Sequence, residues 1–183
     1  MSDTARKDPT VAFRLPLPDQ DDPVWTAANG FIVRRDEGTL RRIGHERMTV
    51  KITGDETGGT LALMDGVIEP GHGNTPHIHS KEDEAFYVAS GAFEFINGDQ
   101  KIKAEAGDFL YIPKGTRHGF RNIGADPARL LIFYLPAGPE AFFLAHGETD
   151  GSPAPWTDEK LNGMVDILGA HNMVLLPTNH DWD

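Results

Sequence analysis

The sequence has no cysteine among its 183 residues. That absence excludes disulfide bonds, thiolate metal sites and a cysteine nucleophile. A metal ion would therefore have to be bound by histidine and carboxylate side chains, and the chain offers eight His and 28 Asp plus Glu.

Long apolar runs are also absent. No uninterrupted apolar stretch approaches the roughly 20 residues that are needed to cross a bilayer. The first ten residues, MSDTARKDPT, lack the apolar core of a signal peptide. We therefore expect a soluble, cytoplasmic protein without a membrane partner.

Basic residues are in the minority. The chain has 17 Lys plus Arg against 28 Asp plus Glu, which gives a formal net charge of -11. Binding to nucleic-acid phosphates requires clustered Lys and Arg, so this balance predicts no nucleic-acid partner. The one basic cluster, Arg34, Arg35, Arg41 and Arg42, is interrupted by acids, and we interpret it as solvated surface.

The pattern of apolar residues is that of short strands. Met48, Val50 and Ile52 alternate with polar residues, which is the period of a half-buried strand. Further short apolar segments follow up to about residue 136, separated by turns that contain glycine, such as Asn97-Gly98-Asp99. Many short strands with turns every 8 to 12 residues predict an all-β sandwich or barrel.

The composition predicts three segments. Residues 1–30 are rich in Pro and Asp and are predicted to form an N-terminal arm, on the barrel or on a partner subunit. Residues 31–136 are predicted to form the barrel, and residues 137–183 a helical extension packed on it. The extension has helical patterns in PEAFFLAHG and in residues 158–170. A lid over the barrel mouth is the alternative interpretation of the second helix.

The stretch TPHIHSKEDEAFYV, residues 75–88, carries the first candidate site. His77 and His79 are two residues apart, so on a strand their side chains point the same way. Such a pair is either part of a solvated hairpin or half of a metal site, since imidazole is a common ligand of transition metals.

Glu84 follows on the next predicted strand and shares a face with Phe86. A carboxylate on an apolar face is costly unless it is paired or bound to a metal. Glu84 is therefore a better candidate ligand than Glu82 or Asp83, which fit an exposed turn.

A further candidate ligand lies downstream in GDFLYIPKGTRHGFRN. His118 is two residues before Phe120 and shares a strand face with it. Three imidazoles and one carboxylate on strands of one barrel would leave coordination positions open for water or substrate.

Two spaced motifs in these stretches resemble those of the cupin superfamily. The first has the form G-x5-H-x-H-x4-E-x6-G and the second G-x5-P-x-G-x2-H-x3-N, and each fixed position is filled. The wider context, including ARLLIFYLPAG, is similar to bacterial single-domain cupins that resemble quercetin 2,3-dioxygenase. The fixed positions are Gly71, His77, His79, Glu84 and Gly91, then Gly107, Pro113, Gly115, His118 and Asn122.

The resemblance implies a cupin jelly-roll β-barrel of the RmlC-like type with one divalent transition metal inside. It implies His77, His79, Glu84 and His118 as the metal ligands, and Fe, Ni, Mn, Co, Cu or Zn as the candidate ion. It also implies a homodimer, because small cupins often pair through barrel faces.

The function that the resemblance implies is a metal-dependent dioxygenase that cleaves or oxidises an enol or phenolic ring with O2. Glu84 would then also act as the catalytic base for the substrate hydroxyl. Phe86 and Phe120 either line the substrate pocket or belong to the core. The alternatives are an oxygen-independent isomerase, cyclase or lyase that uses the same metal, and a non-catalytic small-molecule-binding cupin.

Overall fold

The structure is a computed structural model that describes residues 30–149, 158–178 and 180–182, with the backbone alone for residues 158–162. Residues 1–29 of the predicted arm lie outside the described residues. The chain divides into two units, Met1–Ile32 and Val33–Asp183, and the described helices and strands all belong to the second.

Strands make up most of the described fold, as the alternating pattern predicts. The described helices are α1 (Gly54–Thr57), α2 (Glu140–His146) and α3 (Asp158–Ala170). The described strands are β1 (Thr39–Ile43), β2 (Glu46–Ile52), β3 (Ala62–Ile68), β4 (His77–His79), β5 (Asp83–Ser90), β6 (Ala92–Asn97), β7 (Gln100–Glu105), β8 (Phe109–Ile112), β9 (His118–Asn122), β10 (Ala128–Leu135) and β11 (Met173–Leu175).

The strands form two antiparallel sheets. One has six strands in the order β1-β2-β3-β10-β5-β8, and the other has five in the order β11-β4-β9-β6-β7. One hydrophobic core takes side chains from both sheets. The predicted all-β jelly-roll architecture is confirmed.

Cross-strand register brings the candidate site residues together. His77 on β4 lies opposite His118 on β9. In the other sheet Glu84 on β5 lies opposite Tyr134 on β10. Side chains on one face of a sheet interact most strongly with their directly opposite neighbours.

An aromatic cluster fills the barrel between the sheets. Phe86, Phe93, Phe95 and Phe120 are each at most 1% exposed. The rings of Phe86 and Phe95 have centroids 5.2 Å apart, and those of Phe86 and Phe120 are 5.9 Å apart. Tilted and edge-on aromatic pairs at such distances add to the stabilisation that comes from burial alone.

Two motif residues have structural roles. Gly91 has a φ of +81°, and a Cβ there would lie 2.5 Å from the Cβ of Ala128, so the β5–β6 turn requires glycine. Asn122 is fully buried and donates hydrogen bonds of 2.9 Å to the carbonyl oxygens of Ile68 and Asp126. Asn122 thus holds the backbone near the second motif in place.

The C-terminal extension contains a strand as well as the predicted helices. On α3, Met164 and Leu168 are buried, whereas Val165 is exposed. After this helix, β11 pairs with β4 and adds a strand to the sheet that carries His77 and His79. Three residues are too few to display the alternation that predicts a strand, so the sequence pattern indicates helix alone.

None of the described helices is long and apolar enough to cross a membrane.

Candidate metal centre

Both sheets contribute to the candidate site. On β4, His77 and His79 are buried and flank the partly exposed Ile78, as alternation requires. His118 comes from the neighbouring strand β9, and Glu84 projects from β5 of the other sheet. The four residues predicted as ligands are therefore brought together at the centre of the barrel.

The distances within this cluster are short. One ligand atom from each of the four side chains lies within 4.8 Å of all the others. The Nε2 atoms of His77 and His79 are 3.1 Å apart. The Oε2 atom of Glu84 lies 3.2 Å from Nε2 of His79 and 2.6 Å from Nε2 of His118.

Backbone carbonyls fix the orientation of two of the imidazoles. Nδ1 of His77 lies 2.9 Å from the carbonyl oxygen of Thr75, and Nδ1 of His118 lies 2.9 Å from that of Thr116. Because a carbonyl can only accept, each Nδ1 carries the proton and donates it. In the neutral ring, Nε2 then presents its lone pair to the centre of the cluster, as a metal ligand must.

His79 has a different neighbour, Glu82. The expectation that Glu82 lies in an exposed turn is wrong, because its side chain is only 3% exposed. Its Oε2 lies 3.9 Å from Nδ1 of His79, and both atoms are buried without a hydrogen-bond partner. Asn172, 90 residues along the chain, contacts the other carboxylate oxygen at 3.5 Å. The C-terminal extension thus covers Glu82.

The charges in the cluster depend on each other. Burial lowers the pKa of His77 to about 3, with smaller contributions from His118 and His79, so this imidazole is neutral. Burial alone would raise the pKa of Glu84, but the charges of His118 and His79 outweigh it and hold that pKa well below its usual range. Burial likewise works to lower the pKa of His118, but the Glu84 carboxylate raises it.

The donor set fits a divalent transition metal. Three imidazole nitrogens and a carboxylate oxygen suit Fe, Ni, Co, Cu or Zn, and such donors bind at about 2.0–2.2 Å. Donors bound at that length and at right angles to each other are about 3 Å apart. The observed contacts of 3.1 Å and 3.2 Å match this spacing.

A cavity of about 280 Å³ opens beside the cluster, with His77 and Glu84 in its wall. The rest of the wall is mainly apolar and comes from both sheets and from the C-terminal extension. From the extension it takes Phe142, Phe143, Met164, Leu168, Met173 and Leu175. The extension is therefore part of the cavity wall.

The two aromatic residues considered for the pocket, Phe86 and Phe120, have different positions. Phe120 lines the cavity. Phe86 does not line it, and of the two alternatives the structure shows the core: the side chain is fully buried and packs against Phe95 and Phe120. Although Phe86 follows Glu84 on one strand face, the rest of the aromatic cluster encloses its ring.

The sequence pattern does not predict several of the residues that line the cavity. Glu46 lines the cavity, and so does Tyr134, which lies opposite Glu84 on the neighbouring strand. At the same cavity His45 and His72 stack with ring centroids 3.8 Å apart. A signal for Glu46 exists, because the alternation of Met48 and Val50 extends back to it.

Comparison with protein families gives one match along the barrel. A family model described as "Cupin domain" matches residues 65–134, which includes all four cluster residues. Among solved structures, KdgF from Halomonas sp. superposes with a TM-score of 0.55 at 20% identity, covering 61% of this chain and 99% of the other. That likeness concerns the fold.

The curated relatives include proteins of Streptomyces. The chain is 36% identical over 100 residues to "Protein SchB" of Streptomyces halstedii, covering 54% of this chain and 72% of the relative. It is 30% identical over 134 residues to "Polyketide synthase CurC" of Streptomyces cyaneus, covering 73% of this chain and 84% of the relative. Quercetin 2,3-dioxygenase of Bacillus subtilis is more distant, at 23% identity over 35% of its own length.

Proposed function

This chain belongs to the cupin superfamily, and from that premise we propose that it is a metal-dependent enzyme. Its substrate is a small enolisable or phenolic compound, which it converts by proton transfer without consuming oxygen. The observation that carries the proposal is that the four-residue donor cluster lies beside an apolar cavity, with His77 and Glu84 in the cavity wall.

The cavity supports the substrate class. At about 280 Å³ it is near the lower end for ligand pockets, which fits a molecule of one or two rings. Phe120, Phe142 and Ile132 offer apolar surface for a flat ring, while His77 and Glu84 offer polar atoms at one end. A planar compound with one hydroxyl or carbonyl oxygen directed at the cluster matches both surfaces.

The relatives support the reaction class. CurC carries a polyketide synthase name and aligns along most of its length. Polyketides are rich in carbonyl groups that interconvert with enols and phenols. Such substrates need an acid and a base, and no oxidant.

The residues have distinct roles in this proposal. His77, His79, Glu84 and His118 hold the ion. When bound, the metal supplies Lewis acidity that lowers the pKa of a substrate hydroxyl, so that even a weakly basic carboxylate can accept its proton. Glu84 is that carboxylate, and it lies in the cavity wall, with its Oε2 atom 2.6 Å from Nε2 of His118.

The test is hydrogen exchange under strict anaerobiosis. Protein loaded with Zn, Ni, Co, Mn or Fe(II) is incubated in D2O with 1,3-dihydroxynaphthalene, whose ring hydrogens exchange through its keto tautomer. We expect deuterium incorporation, followed by NMR, to be faster than with His118→Ala. No acceleration with any metal, for this compound and a panel of other one- and two-ring enols, would refute the proposal.

A dioxygenase is the second candidate, as the resemblance of the motifs implies. The donor set favours it, because four protein ligands leave positions open for a substrate and O2. Its test is oxygen uptake by the same metal-loaded samples with quercetin and 1,3-dihydroxynaphthalene. Uptake with a ring-cleaved product selects the dioxygenase, whereas exchange without uptake selects proton transfer.

A further inference from the structure

Glu46 occupies an unusual place for a carboxyl group. It is the first residue of β2, and its side chain points into the barrel on the same face as Met48 and Val50. It is 8% exposed and lines the cavity beside the donor cluster. Burying a carboxyl among apolar side chains is costly unless a partner compensates.

No such partner is present within the described residues. Their ion pairs do not include Glu46, and its side chain makes no hydrogen bond with them. Glu140, another buried glutamate, differs: its two oxygens accept hydrogen bonds from the backbone N–H groups of Gly54 and Gly138. The burial of Glu140 is explained by the fold, whereas that of Glu46 is not.

The surroundings keep Glu46 uncharged. Burial raises its pKa to about 8, and the negative charge of Glu84 adds to the effect. At neutral pH the group is a carboxylic acid with an O–H to donate into the cavity. A carboxyl kept neutral by an apolar site is a known way of supplying a hydrogen-bond donor, and an acid whose pKa lies near neutrality is well suited to proton transfer.

We propose that Glu46 is a second catalytic residue of this site, a carboxylic acid that contacts the substrate in the cavity and delivers a proton to it. The proposal rests on the proposed function, to which it adds the proton donor. Glu84 and Glu46 then have opposite roles. Glu84, in the donor cluster, accepts a proton, and Glu46, at the start of β2, donates one.

The step balances without an oxidant or reductant. The O–H bond of the substrate enol breaks, and its proton passes to the Glu84 carboxylate. The oxygen electron pair forms the C=O bond, and the pair of the enol C=C bond takes the proton of Glu46 to form a new C–H bond. Glu46 is left as a carboxylate and Glu84 as an acid, and proton exchange with water restores both.

Glu46→Gln is the decisive variant, because the amide keeps the size and a hydrogen-bond donor but cannot deliver a proton at a useful rate. With 1,3-dihydroxynaphthalene in anaerobic D2O, we expect the exchange rate to fall about 100-fold, as for loss of a general acid. Metal content and the Kd of the probe stay as in the wild type. The exposed Glu105→Gln on β7 is the matched control, with wild-type exchange expected.

The pH profile gives a readout that a structural role would not move. We expect wild-type exchange to fall as rising pH removes the proton of Glu46, whose pKa burial raises, and the residual exchange of Glu46→Gln to lack this fall. Glu46→Asp, which restores an acid, should recover part of the rate.

The possible failures are distinguishable. Wild-type protein that accelerates no exchange refutes the proposed function and Glu46 with it. Active wild type with an equally fast Glu46→Gln refutes the role of Glu46 alone. A Glu46→Gln protein that loses the metal, the probe or its fold also overturns the catalytic role, because Glu46 would then be a binding or structural residue.

Discussion

The cavity has two ends, and each contains a buried glutamate. Glu84, 2% exposed, lies among imidazoles, and the charges of His118 and His79 hold its pKa below the usual range against the effect of burial. Glu46, 8% exposed, has no cation beside it among the described residues, and burial raises its pKa to about 8. The same side chain is an anion at one end of the cavity and an acid at the other.

The two glutamates are similarly buried, so it is their charged neighbours that give them different protonation states. Two groups whose surroundings push their pKa values apart are the usual basis for dividing acid and base roles in an active site. At the end that contains Glu84, three imidazoles and a carboxylate lie close enough to hold a cation. The β1–β2 end, with Met48 and Ile43 around Glu46, is built to keep charge out.

The largest expected effect comes from removing one of the four candidate metal ligands. His118→Ala removes one donor and leaves the Glu84 carboxylate without its 2.6 Å partner. We expect metal affinity to fall by more than about 100-fold, beyond the range typical of outer-shell changes. Metal titration by calorimetry measures it, with His146→Ala on α2 as the control that should bind normally. Stoichiometric, equally tight metal in His118→Ala would contradict the ligand assignment.

The next largest effect concerns how Glu46, at the β1–β2 end of the cavity, makes the free energy of unfolding depend on pH. Below about pH 4.5 Glu46 is protonated in both the folded and unfolded states, so it does not affect stability. As pH rises from 4.5 to about 8 the unfolded chain releases this proton while the folded protein keeps it, so the free energy of unfolding falls. Above about pH 8 the penalty no longer grows.

Glu46→Gln should therefore gain stability relative to wild type across this window, by about 2–5 kcal/mol in total. Denaturant unfolding of both proteins at several pH values, in the absence of metal, measures the difference. A stability difference that stays constant between pH 4.5 and 8 would show that Glu46 ionises normally, and the contrast between the two glutamates would disappear.

A smaller effect on metal affinity is expected from Glu82, which lies next to the candidate ligand His79. Glu82 lies 3.9 Å from Nδ1 of His79, too far for a hydrogen bond, yet no other partner of either atom is found within the described residues. A carboxylate behind a ligand imidazole typically strengthens metal binding by 10–100-fold. We expect Glu82→Gln to weaken metal binding by about tenfold, measured by competition with a chelator. Unchanged affinity would mean that Glu82 has no part in orienting His79.

The smallest expected effect distinguishes Phe120, in the cavity wall, from Phe86, in the core. Phe120→Leu should weaken binding of 1,3-dihydroxynaphthalene by about 2–10-fold, the value of one aromatic contact. Phe86→Leu should leave probe binding nearly unchanged and lower the free energy of unfolding by about 1–2 kcal/mol. Calorimetry and denaturant unfolding measure the pair. Equal losses of probe affinity in both variants would contradict the placement of Phe86 outside the cavity.

The barrel could be predicted because its strands carry local signals. Alternation marks β2, and Gly91 marks a turn that other residues would strain. The resemblance of the two motifs to those of cupins predicts the grouping of His77 and His79 with His118 and Glu84, and alternation along each strand predicts the direction of their side chains. Metal occupancy and the homodimer stay predictions.

The missed features depend on contacts that are distant in sequence. Glu82 looks like a turn residue until Asn172 covers it. β11 is three residues long and has meaning only beside β4. Glu46 stands next to the exposed His45, so the sequence resembles the end of a solvated hairpin. The alternation of Met48 and Val50 extends back to Glu46 and indicates its inward direction, but only if β2 begins there.

Metal analysis of the purified protein tests the central claim most directly. After incubation with Zn, Ni, Co, Mn or Fe(II) and exhaustive dialysis, we expect one divalent ion per chain in the wild type and in Glu46→Gln, and none in Glu84→Ala. A wild type that retains no ion, or a Glu84→Ala protein that retains as much as the wild type, would contradict a metal centre built from His77, His79, Glu84 and His118.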